Sequence, residues 1–169
     1  ANVDSEITIT SGATEALFVA IQTLVGNGDE VIVFDPAFDS YDPAIRLAGG
    51  KTIHIPLSGN SFSIDWERVR ESITPRTKAI IINSPHNPTG SVISRVDLDQ
   101  LAELASNNDL VVISDEVYEH MVFDGQQHNT VAAHPGLRDR SFVISSFGKT
   151  YHATGWKVGY CIAAPALTI

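Results

Sequence analysis

Ala79-Ile80-Ile81-Ile82 runs straight into Asn83-Ser84-Pro85-His86-Asn87-Pro88-Thr89-Gly90. The first four residues are apolar without a break, so a strand there needs cover on both faces. Those after them are polar or turn-forming, with two prolines and a glycine among them. A turn needs only about one or two such residues. The whole run therefore describes a polar segment held stiffly at the end of a buried strand.

The same two-part pattern recurs on either side. Glu30-Val31-Ile32-Val33-Phe34, Lys51-Thr52-Ile53-His54-Ile55, Leu110-Val111-Val112-Ile113 and Phe142-Val143-Ile144 read as strands. The alternating Glu6-Ile7-Thr8-Ile9-Thr10 precedes them, and the strand-like run Val158 to Ala164 comes after. Helical stretches fall between, at Thr14 to Val25, Phe38 to Ala48, Asp65 to Ile73 and Arg95 to Ser106. In the last, Leu98, Leu101, Ala102, Leu104 and Ala105 make one apolar stripe with the charges opposite. Gly26-Asn27-Gly28-Asp29 and Gly49-Gly50 punctuate the units. Alternating β and α units predict an α/β fold of three layers, a mainly parallel sheet with helices on both faces. Ligands of such sheets gather beyond the carboxyl ends of the strands, so the residues just after each strand are the candidates for chemistry.

Composition narrows the classes. At 169 residues the chain fits one domain, which buries about 70% of its unfolded surface. Its 20 acidic against 11 basic residues give a formal charge of −9, which argues against nucleic acid as a partner. The one cysteine, Cys161, excludes an internal disulfide and any multi-cysteine zinc site. No apolar run is long enough to span a bilayer and no signal-peptide pattern is present, so the expected address is the cytoplasm, with no membrane partner. The chain opens at Ala1 without methionine and stops soon after a strand-like run. That predicts a piece of something larger, truncated at both ends.

Ser11-Gly12-Ala13-Thr14-Glu15-Ala16 opens a helix directly after a strand, where small residues let backbone N–H groups approach an anion. Plain capping by Ser11 or Thr14 is the alternative. Gly26-Asn27-Gly28 precedes a strand instead of following one, so it is no dinucleotide fingerprint. Ser114-Asp115-Glu116-Val117-Tyr118 puts a carboxylate at a strand end and a phenol just beyond it. Asp115 there suits a metal ligand, a base, an ion-pair partner for a protonated ligand nitrogen, or a helix cap. The six histidines are scattered and none lies at ligand spacing from these acids, which argues against a metal. His86 reads as solvent-facing, with no role. Two of the four lysines fall close together, in Ser145-Ser146-Phe147-Gly148-Lys149-Thr150 and Gly155-Trp156-Lys157-Val158. Ser146 to Lys149 also matches a Ser-x-x-Lys acyl-enzyme pattern, but the Ser-Asp-Asn and Lys-Thr-Gly elements that belong with it are missing from the sequence.

An anion cradle, an amide pair, a carboxylate, a phenol and a lysine backed by hydroxyls together suit pyridoxal 5'-phosphate. That cofactor needs a lysine Schiff base, an acid at its pyridine nitrogen and an anion site for its phosphate. Four motifs, at Ser11–Ala16, Asn83–Gly90, Ser114–Tyr118 and Ser146–Lys149, match in order and spacing those of one family. Across essentially its whole length the sequence resembles the large domain of fold-type I, class I/II aminotransferases. It is most similar to the methionine and kynurenine (glutamine-type) branch.

The resemblance implies Lys149 as the Schiff-base lysine and Asp115 as the partner of the pyridine nitrogen. It implies Asn87 and Tyr118 at the ring's phenolic oxygen, with Lys149, Asp115 and Tyr118 the catalytic set. Backbone amides of Gly12, Ala13 and Thr14 would hold the phosphate, helped by Ser146 and Lys157. Many relatives carry Arg at the Lys157 position, and Lys keeps the charge without the two-pronged geometry. Phe38 falls where the family has an aromatic on the ring's face, and Asn83 near the substrate carboxylate. Residues 1–169 would then be the cofactor-binding large domain of a homodimer, with the small domain absent. Its reaction would pass an amino group from an amino acid (methionine or an aromatic, kynurenine-like one) to a 2-oxo acid. A β-C–S lyase of the same fold and a non-catalytic truncated domain stay open beside it.

Overall fold

The computed structural model describes residues 1–168. Seven strands form one sheet in the order β1-β7-β6-β5-β4-β2-β3. They are β1 (Ile7–Thr10), β2 (Glu30–Asp35), β3 (Lys51–Pro56), β4 (Thr77–Asn83), β5 (Val111–Asp115), β6 (Ser141–Ser146) and β7 (Gly159–Ala163). Strands β2 to β6 pair in parallel, and only β7 runs antiparallel to its neighbours β1 and β6. The helices are α1 (Ala13–Leu24), α2 (Tyr41–Leu47), α3 (Trp66–Ser72), α4 (Arg95–Asn107) and the single turns α5 (Phe147–Thr150) and α6 (Pro165–Thr168). The three-layer α/β expectation holds, and each expected strand is found within a few residues of its predicted limits.

The apolar runs are continuous because both faces are covered. Val31, Val33, Ile81, Ile113 and Ile144 pack with Ala16, Leu17, Ala20 and Ile21 of α1 and with Ile45 of α2. Their neighbours Ile32, Ile80, Val112 and Val143 pack on the other face against Trp66 and Val69 of α3 and Leu98, Leu101 and Leu104 of α4. Successive strand residues point to opposite faces, so each buried strand feeds two separate cores. Helix α4 is started by a reciprocal cap: the Ser94 hydroxyl accepts from the Asp97 amide, and the Asp97 carboxylate accepts from the Ser94 amide.

One expectation shifts. The helix predicted from Phe38 begins at Tyr41, and Phe38 stays in the preceding loop with its ring edge-on to Tyr41, 5.6 Å between centroids. The direction of β7 decides where Lys157 enters. Being antiparallel, β7 begins where the parallel strands end, so Lys157 and Val158 join the same edge as the ends of β1, β4, β5 and β6. Gly159 makes that approach possible, because a Cβ there would lie 2.3 Å from the Gly12 carbonyl carbon and 2.5 Å from the Ala13 nitrogen.

Candidate active site

A cavity of about 630 Å³ opens at the carboxyl edge of the sheet. The turn after β1 contributes Gly12, Ala13 and Thr14, the loop after β2 contributes Phe38, and β4 with its following loop contributes Asn83 and Asn87. Asp115 and Tyr118 enter from β5 and the turn beyond it, Ser146 and Lys149 from β6 and α5, and Lys157 from the approach to β7. Every residue singled out from the sequence for cofactor binding or catalysis lines this one space.

Asp115 closes β5 and is 4% exposed. Its Oδ2 accepts from the Tyr41 hydroxyl at 2.6 Å, and its Oδ1 accepts from the Val117 amide at 3.3 Å. Burial pushes its carboxyl up to about 6, against the pull of those two donors. Asp115 is a strand end and not a helix cap: Tyr118 sits in a turn, not on a helix. The Lys149 ammonium stands 5.6 Å from the centroid of the Tyr118 ring, a distance at which the ring face attracts a cation.

Gly12, with φ 81°, flanks the start of helix α1, and no side chain caps it. The alternative reading, plain capping by Ser11 or Thr14, is therefore not what the structure shows. The Ser11 amide goes to the Glu15 carboxylate, and the Gly12 amide donates to the Thr10 carbonyl at 2.9 Å. Amides of the first helical turn lack i−4 acceptors, so the anion-binding capacity lies with Ala13 and Thr14, and the expected Gly12 amide is already engaged. Lys157 packs beside Gly12 in a left-handed conformation, φ 52°.

Asn83 is engaged at both ends of its amide. Its Nδ2 donates to the Asp115 carbonyl at 2.9 Å, and its Oδ1 accepts from the Asn87 amide at 2.7 Å. It lines the cavity while tying the Asn87 loop to the end of β5. His86 is buried, not solvent-facing: its Nδ1 is 2.8 Å from the Thr89 hydroxyl, and burial lowers its pKa.

Sequence spacing also misjudges the neighbouring acids. His128 folds back so that its Nε2 lies 2.7 Å from Glu116 Oε2. Glu116 Oε1 accepts from the Ser114 hydroxyl and the Val131 amide, while Glu119 accepts from Ser145 and Tyr160. These bonds make a brace beneath the Tyr118 turn. Sequence reasoning misses Tyr41 altogether, its only local trace being the i,i+3 spacing from Phe38.

Residues 1–168 match the family described as Aminotransferase class I and II. The chain belongs to that family. It is 52% identical over 162 residues to the methionine aminotransferase of Escherichia coli (strain K12), covering 96% of this chain and 42% of that protein. It is 42% identical over 167 residues to kynurenine–oxoglutarate transaminase 1 of Homo sapiens, covering 92% of this chain and 40% of that protein. The aromatic aminotransferase of Pyrococcus horikoshii OT3 superposes with a TM-score of 0.96 at 37% identity, over 99% of this chain and 45% of that one. The chain thus spans less than half the length of the relatives it matches. Among its described residues no helix is long and apolar enough to cross a membrane.

Proposed function

We propose that residues 1–169 form the pyridoxal-phosphate-binding large domain of an aminotransferase whose small domain lies outside these residues. The supporting observation is the single cavity that gathers the Lys149 amine, the buried Asp115 carboxylate and the uncapped start of α1. That donor set fits the cofactor: an amine for its carbonyl, a carboxylate for its ring nitrogen and free amides at a helix start for its phosphate.

In this reading Asp115 keeps a proton on the ring nitrogen, and its burial strengthens that charge pairing. Asn87 and Tyr118 would hold the phenolic oxygen, and Phe38, which lines the same cavity, would cover a ring face. The Ala13 and Thr14 amides, the Ser146 hydroxyl and the Lys157 ammonium hold the phosphate. Lys149 would supply the amine that holds the cofactor and would be the group to carry a proton at the substrate's α-carbon. When bound, pyridoxal phosphate supplies the electron sink that makes that proton removable. The named activities of the relatives support methionine or an aromatic, kynurenine-like amino acid as donor and a 2-oxo acid as acceptor.

A homodimer is part of the proposal. Trp156 is 82% exposed and Tyr151 67%, an apolar surface near the cavity that suits cover by a second copy. The single cysteine suits a cytoplasmic address.

The test is spectroscopic and chemical. Pyridoxal phosphate added to the purified protein gives a visible band that borohydride fixes as a label on Lys149. In the full-length protein, pyridoxamine phosphate with a 2-oxo acid yields the amino acid, whereas pyruvate with ammonia marks β-elimination instead. Absence of band and label overturns the cofactor assignment.

A further inference from the structure

We infer that Tyr41 is a positioning residue for the site: its hydroxyl donates to Asp115 Oδ2 at 2.6 Å while its ring packs T-shaped with Phe38, centroids 5.6 Å apart, so one buried side chain sets two walls of the cavity. The inference rests on the reading of Asp115 as the ring-nitrogen partner. Tyr41 is the first residue of α2, 2% exposed, and 74 positions from Asp115 in the chain.

A carboxylate has room for about four acceptor contacts. Tyr41 takes one on Oδ2 and the Val117 amide one on Oδ1, which stops the group from rotating and leaves its remaining acceptor capacity to the cavity it lines. Both fixed donors are neutral. A cation in Tyr41's place would satisfy the carboxylate's charge and weaken its demand for a protonated ligand nitrogen. A phenol orients the charge and leaves it uncompensated. Burial and the nearby carboxylate hold the Tyr41 hydroxyl well above its ordinary pKa, so it stays a donor across the working range. The titratable groups that bear on Asp115 are Tyr41 from α2 and Glu116 next in the chain. Tyr118 bears on Tyr41 from the following turn, and Lys149 and Lys157 line the same cavity.

The experiment follows the Asp115 carboxyl by carbon-13 NMR in the cofactor-free full chain, with Asp115→Asn identifying its resonance. Tyr41→Phe keeps the ring against Phe38 and removes the donor. The titration midpoint then climbs from about 6 by roughly one pH unit or more. Replacing Tyr41 by 3-fluorotyrosine keeps the fold and makes the hydroxyl a stronger donor, and the midpoint falls. A purely structural role does not follow the acidity of the phenol. A midpoint unmoved by the fluorinated residue, or by Tyr41→Phe in a folded chain, overturns the proposal. Pyridoxal phosphate is titrated in parallel into the unmodified protein. Midpoints that move as stated in a protein that binds no pyridoxal phosphate leave the positioning role standing and remove the cofactor reading.

Discussion

The two edges of the sheet each bury a carboxylate, and they treat it in opposite ways. At the amino edge Glu30 opens β2, 3% exposed, with the Arg76 guanidinium at 3.0 Å and the Thr74 hydroxyl at 2.6 Å. The Thr74 hydrogen bond and then Arg76 hold its pKa below the usual carboxylate value, burial notwithstanding. At the carboxyl edge Asp115 closes β5 with a phenol and an amide as the carboxylate's partners among the described residues, and burial wins, pushing its carboxyl up to about 6. The first carboxylate has its countercharge inside the chain. The second is stiffly held and short of positive charge, so a ligand that brings some is favoured. One edge serves stability, and the other, in the proposed reading, serves binding.

The largest effect that sharpens this contrast is at Lys149. Lys149→Ala abolishes covalent attachment of pyridoxal phosphate, while Lys157→Ala only weakens binding. Peptide mapping after borohydride reduction checks it, and a label on Lys157, Lys51 or Lys78 defeats the assignment.

Asp115→Asn comes next and acts in two directions. In the full-length protein it slows the chemical step at least ~10²-fold, because a neutral amide cannot pair with a protonated ring nitrogen as charge develops. In the cofactor-free chain it stabilises. A carboxyl raised from its ordinary 3.8 to about 6 destabilises the fold increasingly as pH rises through that window, reaching about 2–3 kcal/mol above it. Chemical denaturation at pH 4 and pH 7 reads the difference: the variant gains at pH 7 and little at pH 4. A variant less stable than the parent at pH 7 would break the contrast between the edges.

Gly159→Ala tests the cradle. Its new Cβ would fall 2.3 Å from the Gly12 carbonyl carbon, so the Gly12–Ala13 peptide must move away from β7. Affinity for pyridoxal phosphate falls about tenfold, worth ~1.4 kcal/mol, while affinity for pyridoxal, which lacks the phosphate, stays. Equal losses for both ligands, measured by absorbance titration, would show a general loosening instead.

The smallest effect belongs to the amino edge. Arg76 is 65% exposed in its side chain, so Arg76→Ala costs about 1 kcal/mol at neutral pH. A lowered carboxyl contributes stability above its unfolded pKa and loses it as pH falls through the folded value, so the deficit closes on acidification. Thermal melts at pH 7 and pH 3 check this, with cofactor binding at pH 7 unaffected.

How much of the fold and site is legible in the chain depends on how local each signal is. Strand β4 and the Asn83–Gly90 loop can be read from an apolar run and its punctuation, because pleat and turn preferences act over a few residues. Lys149 and Asp115 are legible because strand ends in an α/β sheet converge on one edge. Tyr41 is not, since its partner lies 74 positions away and an aromatic in a helix reads first as core. His86 and His128 are misread for a different reason: their partners Thr89 and Glu116 are close in sequence, but turn geometry and burial decide whether the rings meet them.

The sequence by itself determined the order of strands and helices, the two-sided burial of the sheet and the set of chemically capable residues at its edge. Only the tertiary structure decided that Gly12's amide is occupied while those of Ala13 and Thr14 begin the helix unpaired, that Asn83 is a tie, and that a phenol from α2 holds Asp115. Period and punctuation are properties of neighbouring residues. Desolvation and hydrogen-bond partnership depend on which distant segments the folded sheet brings within about 3 Å of one another, and both act on the charge of Asp115.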